Sequence, residues 1–471
     1  MTGLDTSIIF LYLALMLALG FYANHRQEGI EDYFLAGRRQ NTFSIACLWM
    51  ASWVGGAAVI GTSARAYEIG ISASWYVLAQ AIGLFLFGIF FAARVKKLGD
   101  EQQYLTYPDF IADKFDSRTQ VVATLTTALA FIAFAAGQLV AASSIIQVLL
   151  GWEYWQALLL SGGIVIVYTA SGGYLAVTYT DWVQFFLLLI GVLIIGVPMA
   201  IIHAGTPADL QMALPESFFD MGAWGWSTIL ALVVSMGMSF FVAMDSFTRC
   251  FAAKNPKTAR NGALLAVLFI LPIAVASAWL GTASAVLFPD VANSNNILTT
   301  FVVELFPTGL RGLVLVGILA AVMSTADICI LTASANVTQD IYHRYFKPGM
   351  SHQRMLRLGM VASACVGVLA MMMAWKMQDI IDILLLGFTI NGAALFLPTM
   401  VAMLAKRVDT SAAFWSILLS LITVIAWKSA AQAGAGGFFR IEPLWPGLAL
   451  SILVYFLVYW RRVGVQSVTT A

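Results

Sequence analysis

The chain has 471 residues, 61% of them hydrophobic and only 10% charged, with a formal net charge of +1. Such a composition cannot clothe a water-soluble surface. It offers no basic patch for nucleic acid and no polar segment large enough to fold separately. The expected class is an all-α polytopic membrane protein, a single transmembrane domain spanning residues 1–471.

Apolar runs able to cross a hydrocarbon core of ~30 Å recur along the whole length. Thirteen spans are expected, at roughly 6–24, 42–64, 73–96, 120–149, 155–171, 178–202, 227–249, 262–288, 309–337, 356–375, 381–405, 411–428 and 444–461, each end good to a few residues. The first run lacks a basic n-region and a small-residue cleavage site, so it reads as a retained helix. The second is interrupted by Gly55-Gly56, and the seventh carries Gly237 and Ser239 at a similar place. Paired interruptions point to a midplane binding site, although paired glycines also serve close helix packing. With the N-terminus outside, twenty of the 25 Lys and Arg fall on the inner side. The positive-inside rule therefore orients the chain N-out and C-in, in a membrane of the bacterial inner type.

Cys47, Cys250, Cys329 and Cys365 lie in or beside apolar spans, without disulfide or zinc spacing. No nucleophile has a paired base and orienter, and there is no phosphate loop, so an enzyme is not expected.

Several local signatures narrow the class. DYFLAGRR (32–39) follows the first span, SGGYLAVTYTDWVQ (171–184) opens the sixth, RCFAAKN (249–255) closes the seventh, and AAVMSTADICILTASANVTQDIY (320–342) ends the ninth. Together they resemble the sodium:solute symporter family, whose members carry proline, sugars, pantothenate or sialic acid. The resemblance implies a LeuT-type core of two five-helix inverted repeats, about 41–202 and 227–407, with one extra helix before and two after. It also implies sodium-coupled symport of a small organic solute, a carboxylate or amino-acid-like one favoured, with Na+ as coupling ion, no organic cofactor and the bilayer as surroundings. A proton-coupled carrier of the same fold and a carrier-fold membrane sensor are the alternatives, and the sequence does not give the oligomeric state.

The family's sodium ligands map onto the carbonyls of Ala51 and Val54, the carbonyl of Ala321 and the hydroxyls of Ser324 and Thr325. Read from the residues alone, Ala321, Ser324 and Thr325 share one helical face and offer the hard oxygens a small cation takes. The alternative is that both hydroxyls bond back to a carbonyl on their own helix. Asp181 resembles the family's acidic residue on the ion pathway. The hydroxyls that accompany it in two-sodium members are replaced here by Asp327 and Ile328, so Asp181 and Asp327 would either hold a cation or share a proton.

Candidate solute contacts are Gly55, Gly56 and Ala58 at the interrupted helix, Arg65 one turn beyond, and Gln138, Thr389 and Asn391 in otherwise apolar spans. Arg65 could clamp an anionic solute, or pair with Glu68 at i+3. Asp245 is expected to pair with Arg249 at i+4. Gln138, Thr389 and Asn391 could equally bond helix to helix. Trp49, Trp53, Trp75 and Tyr76 cluster near the interruption, where a pocket wall and an interfacial belt are both open readings.

Overall fold

The computed structural model describes residues 3–24, 38–104, 106–346, 349–350, 352–405, 407–434 and 436–469, with the side chains of 171–184 outside the description. The motif at 32–39 lies largely outside the described residues. Everything described is helix and connection, apart from an isolated bridge between Gln40 and Ala253. In chain order the principal helices are α1 (Gly3–Asn24), α2 (Thr42–Trp53), α3 (Gly56–Ile69), α4 (Trp75–Phe87, continued to Gln102), α5 (Tyr107–Lys114), α6 (Ser117–Leu150), α7 (Tyr154–Leu189), α8 (Val197–Ala204), α9 (Trp226–Phe240), α10 (Met244–Ala252), α11 (Pro256–Leu287), α12 (Ile297–Leu305), α13 (Leu310–Ala335), α14 (His352–Lys376), α15 (Ile380–Leu404), α16 (Thr410–Gln432) and α17 (Leu444–Thr469). A π segment, Asn336–Phe346, prolongs α13.

Among the described residues nine helices are long and apolar enough to cross a membrane, and the bent pair α9–α10 makes ten. Side chains such as Leu268, Val275, Ile194 and Met372 stay exposed on the flanks, where only lipid can satisfy them. The apolar window of α13 is 94% buried and that of α6 is 89%, against 22% for α17. Hence α13 and α6 form the centre and α17 the rim.

The helix starts are written locally. Asn41, Asp116, Asn255, Asp379 and Asp409 each accept a hydrogen bond from the backbone N–H three residues on, opening α2, α6, α11, α15 and α16. The first interruption falls where the glycine pair predicts it. α2 stops at Trp53, Val54 adopts φ −112° and ψ 53°, and Gly55 starts α3 from extended backbone.

The second interruption differs from expectation. α9 runs through Gly237 and Ser239, and the chain turns at 241–243, bending by 46° into α10. The close crossing at this level is permitted by Gly83 of α4, where a Cβ would lie 2.7 Å from the Phe240 ring and 3.0 Å from the Gly237 Cα. The turn at 241–243 holds no Gly or Pro. Tertiary packing of Phe241 edge-on to Phe87 and Phe91 accompanies it. The expected separation of a fifth span from a sixth is also not seen, because α7 continues through 172–177. Gly172 and Gly173 weaken a helix without removing its hydrogen bonds, as a proline would.

Candidate ion and solute site

The site is assembled on α13, beside the break between α2 and α3. Ala321, Ser324 and Thr325 are 3%, 2% and 4% exposed, so their polar atoms have no bulk water to turn to. Ser324 Oγ donates to the Ala321 carbonyl at 3.1 Å, and Thr325 Oγ1 donates to the same oxygen at 3.0 Å. Both hydroxyls thus bond back along the helix, and in doing so three hard oxygens converge on one point. Helices α2 and α3 pack against α13 there. The non-helical ψ of Val54 turns its carbonyl out of the α2 ladder, while Ala51 sits one turn earlier in the helix with its side chain outside the description. This donor set suits a small alkali cation, which takes carbonyl and hydroxyl oxygens and no soft ligands.

Asp327, one turn further along α13, is 1% exposed and accepts a hydrogen bond from Thr169 of α7. Asp181 lies in α7 with its side chain outside the described residues.

Next to the ion ligands is a cavity lined by residues of seven elements, including Ser52 and Trp53 of α2, Ala58 of α3, Tyr76 of α4, Gln138 of α6, Asp245 of α10, Thr325 of α13 and Phe388 of α15. Its free space is about 40 Å³. A water needs ~10–15 Å³, so this conformation holds a few waters and a solute must move side chains to enter. One wall is aromatic: Trp53 stacks on Phe240 at 3.7 Å and on Phe388 at 5.6 Å, with Phe134 at 4.8 Å from Phe388. The other features are polar and unsatisfied. Gln138 Oε1 and Asp245 Oδ1 are buried without a hydrogen-bond partner among the described residues. Gly55 brings no side chain to cap α3; the Ala58 N–H turns back to the Gly55 carbonyl at 3.0 Å, and the N–H groups of Gly56 and Ala57 before it form the uncapped start of the helix.

Asp245 also forms the expected pair with Arg249, at 2.6 Å. The guanidinium goes on to the Leu48 carbonyl at 3.1 Å, to Ser52 Oγ, and lies 5.2 Å from the Trp49 ring centre. It therefore ties α10 to α2 at one end of the bundle. Arg65 does the corresponding work at the opposite end. Its guanidinium meets Glu68 at 3.0 Å and Asp379 of α15 at 2.8 Å, with Asp382 at 3.9 Å and the Trp224 ring at 5.7 Å. Arg65 is not among the residues lining the cavity. Of the two readings open for Arg65, this geometry fits the ion pair, with the Glu68 carboxylate joined by those of Asp379 and Asp382.

Of the other expected solute contacts, Ala58 and Gln138 line the cavity, and Gly55 and Gly56 form the break itself. Thr389 shares a hydrogen bond with Ser235 at 3.3 Å, joining α15 to α9, and Asn391 is fully buried with neither amide atom partnered among the described residues. Trp53 and Tyr76 face the cavity, Trp49 lies beneath Arg249, and Trp75 Nε1 donates to the Met221 carbonyl.

The sequence profile of the sodium:solute symporter family matches residues 33–420. The chain belongs to that family. As a sodium:solute symporter it is 25% identical to the sodium/proline symporter of Haemophilus influenzae, with 97% of this chain and 95% of the relative aligned. It is 24% identical to the sodium/pantothenate symporter of Escherichia coli, with 95% and 94% aligned. Its fold is shared with a Na+-coupled sialic acid symporter solved in a substrate-bound outward-open state, at TM-score 0.78, 22% identity and 97% coverage of both chains. A nucleobase-cation-symport-1 family transporter in a closed conformation follows at TM-score 0.56, with 17% identity over 92% of this chain and 96% of that one. The LeuT-type architecture is thereby established for this symporter.

Sequence reasoning assigned Asp245 to a structural pair and missed its second oxygen, which faces the cavity. It also passed over Gln80, fully buried on α4 one turn from the cavity residue Tyr76 and interacting with its hydroxyl. The available signal was spacing: Phe131, Phe134 and Gln138 recur at i, i+3 and i+7 on α6, one face of which turned out to line the cavity.

Proposed function

We propose that this symporter couples inward movement of Na+ to uptake of a small solute bearing a carboxylate, amino-acid-like in size, by alternating access. The observation that carries the reading is the convergence of Ser324 Oγ and Thr325 Oγ1 on the Ala321 carbonyl, buried beside the α2–α3 break and next to a cavity. Carbonyls of Ala51 and Val54 complete the ion's shell. The names of the relatives support sodium as the coupling ion. The solute carboxylate meets the uncapped start of α3 at Gly55, Gly56 and Ala58, where helix N–H groups and the helix dipole favour negative charge. Its apolar part lies on the aromatic wall, and Gln138 supplies a polar contact, with Thr389 and Asn391 behind.

Two inverted repeats, about 41–202 and 227–407, rock around this point. The basic residues gathered near Arg249 support reading that end as cytoplasmic and the N-terminus as outside. Asp327, held by Thr169, either helps bind a second ion with Asp181 or carries a proton. Uptake into liposomes driven separately by a sodium gradient and by a proton gradient tests this. Sodium-driven accumulation at fixed pH is expected; accumulation that follows only the proton gradient would replace sodium with protons, and no accumulation under either gradient would remove symport.

A further inference from the structure

Below the cavity the buried face of α6 does not become apolar. The residues that line the cavity, Gln138, Phe134 and Phe131, are followed on the same face by Thr127, Thr124 and Gln120, spaced at helical repeats toward the Arg249 end. On α13 the cavity residues Thr325 and Cys329 are followed on one face by Asn336 and Asp340, now in the π segment. The two helices pack against each other, and the π segment packs on α6 as well. They run antiparallel, and a hydrogen bond from Tyr345 to Gln120 Oε1 fixes their register. Seven residues of α6 rise ~10 Å, so Thr127 stands at about the level of Asn336.

Along this seam the polar groups are buried, and several of their atoms are unsatisfied among the described residues. Gln120, Thr127 and Asn336 are each 0% exposed and Asp340 is 5%. Gln120 Nε2, Thr127 Oγ1, both amide atoms of Asn336 and Asp340 Oδ2 have no hydrogen-bond partner among the described residues. Asp340 Oδ1 receives only a long contact from Thr106 Oγ1, at 3.4 Å. The nearby cation, Arg344, is engaged by Asp109 at 3.1 Å. Buried polar groups in native proteins are paired, so a run of unpaired ones marks a place that something polar fills. A carboxylate with no bound counter-charge asks for a cation, and amide and hydroxyl oxygens beside it suit an alkali ion.

The geometry points to a second alkali-cation station, formed by Asp340 Oδ2, Asn336 Oδ1 and Thr127 Oγ1, on the route by which the coupling ion leaves the Ser324–Thr325 site toward the Arg249 end. The inference rests on the sodium-coupled reading above. The station receives the ion after it leaves the midplane, and its oxygens replace hydration water until the ion reaches the surface beside Arg344 and Asp109.

Equilibrium binding of ²²Na+ to the purified full-length protein tests it, with Asp340→Asn, Asn336→Ala and Ser324→Ala compared with the parent. The parent is expected to bind in two classes. Asp340→Asn removes one class, Asn336→Ala weakens that class at least tenfold, and Ser324→Ala removes the other. In liposomes the two inner variants lower the maximal rate about tenfold while the sodium concentration for half-maximal uptake moves less than twofold. Asn336→Ala deletes two unsatisfied atoms and keeps helix propensity, so it is expected to fold even if Asp340→Asn does not. If both inner variants match the parent in bound sodium and in rate while Ser324→Ala loses a class, the inner station is wrong and the sodium-coupled reading stands. If the parent binds no sodium, both fall.

Discussion

Ser324 and Thr325 owe their meaning to what each hydroxyl hydrogen does and what each oxygen leaves free. Donating to Ala321 costs neither oxygen its lone pairs, so back-bonding and ion binding coexist. Replacing either by Ala deletes one ligand and keeps the helix, and the expected result is about a tenfold rise in the sodium concentration for half-maximal uptake, equivalent to ~1.4 kcal/mol. Uptake measured across a sodium series checks it; unchanged sodium dependence in both variants removes the assignment. Arg249 makes a different kind of contribution. Its side chain is 3% exposed and its partner Asp245 12%, so Arg249→Ala strands a buried carboxylate at a cost of ~3–5 kcal/mol. The measurable result is a lower unfolding midpoint, and an unchanged midpoint would show that the pair is solvated. The Asp245–Arg249 pair was legible from i+4 spacing. Of the partners of Arg65, Glu68 was legible at i+3 and Asp379 was not, because it stands 314 positions away and reaches Arg65 only after folding.

Elements were readable where the sequence carries its own punctuation. Asn and Asp caps and the Gly55-Gly56 pair mark their helix ends directly, while the bend at 241–243 has no local breaker and is set by what α9 and α10 pack against. The short helix α5 shows a third case, an element between spans fixed by polar chemistry. Thr106 and Asp109 cap it reciprocally, and Tyr104 donates to Asp113 at 2.5 Å. That hydroxyl, with Lys114 beside it, holds the Asp113 carboxyl below the usual carboxylate range. A carboxyl lowered on folding stabilises the folded state above its unfolded value, and the contribution is lost as pH falls through the folded value. Acidification below the ordinary carboxylate range should therefore loosen α5, and Tyr104→Phe should flatten that acid limb. Thermal unfolding of parent and variant across the acidic range decides it; parallel curves would mean that Asp113 is indifferent to Tyr104. Because Asp113 is 39% exposed, solvent screening keeps the effect small.

At the scale of the whole molecule, two laced ends flank one small cavity. At one end Arg65 joins α3 to α15, Ser294 donates to Glu68 at 2.8 Å and Asn295 to the Gln378 carbonyl at 2.8 Å. At the other, Arg249 joins α10 to α2. In the proposed alternating-access cycle the two ends open in turn, which would put these charges where opening happens and outside the cavity. Arg65→Gln is accordingly expected to leave the KM for solute within about threefold of the parent while changing the rate of uptake. A KM raised tenfold or more would return Arg65 to the solute. Membrane class, family and central helices were legible in composition and motif. Of the cavity wall, Trp53, Ala58, Tyr76 and Gln138 were candidates from sequence, whereas Phe131, Leu384 and Phe388 join them only through packing.

Cys329 gives the cavity a built-in chemical reporter. It lines the wall beside Thr325, whereas Cys47 and Cys250 are buried elsewhere and Cys365 is exposed. Cys329 is itself buried, so a water-soluble thiol reagent should reach this sulfur only as the cavity opens, and bound solute should shield it. Alkylation followed by intact-mass measurement, with Cys365→Ser as background, should slow when solute and sodium are added together. Labelling at Cys329 that ignores both would mean that solute never occupies this space. A carrier whose path contains a native thiol can thus announce its own ligand before that ligand is known, as a change in the rate at which one sulfur is marked.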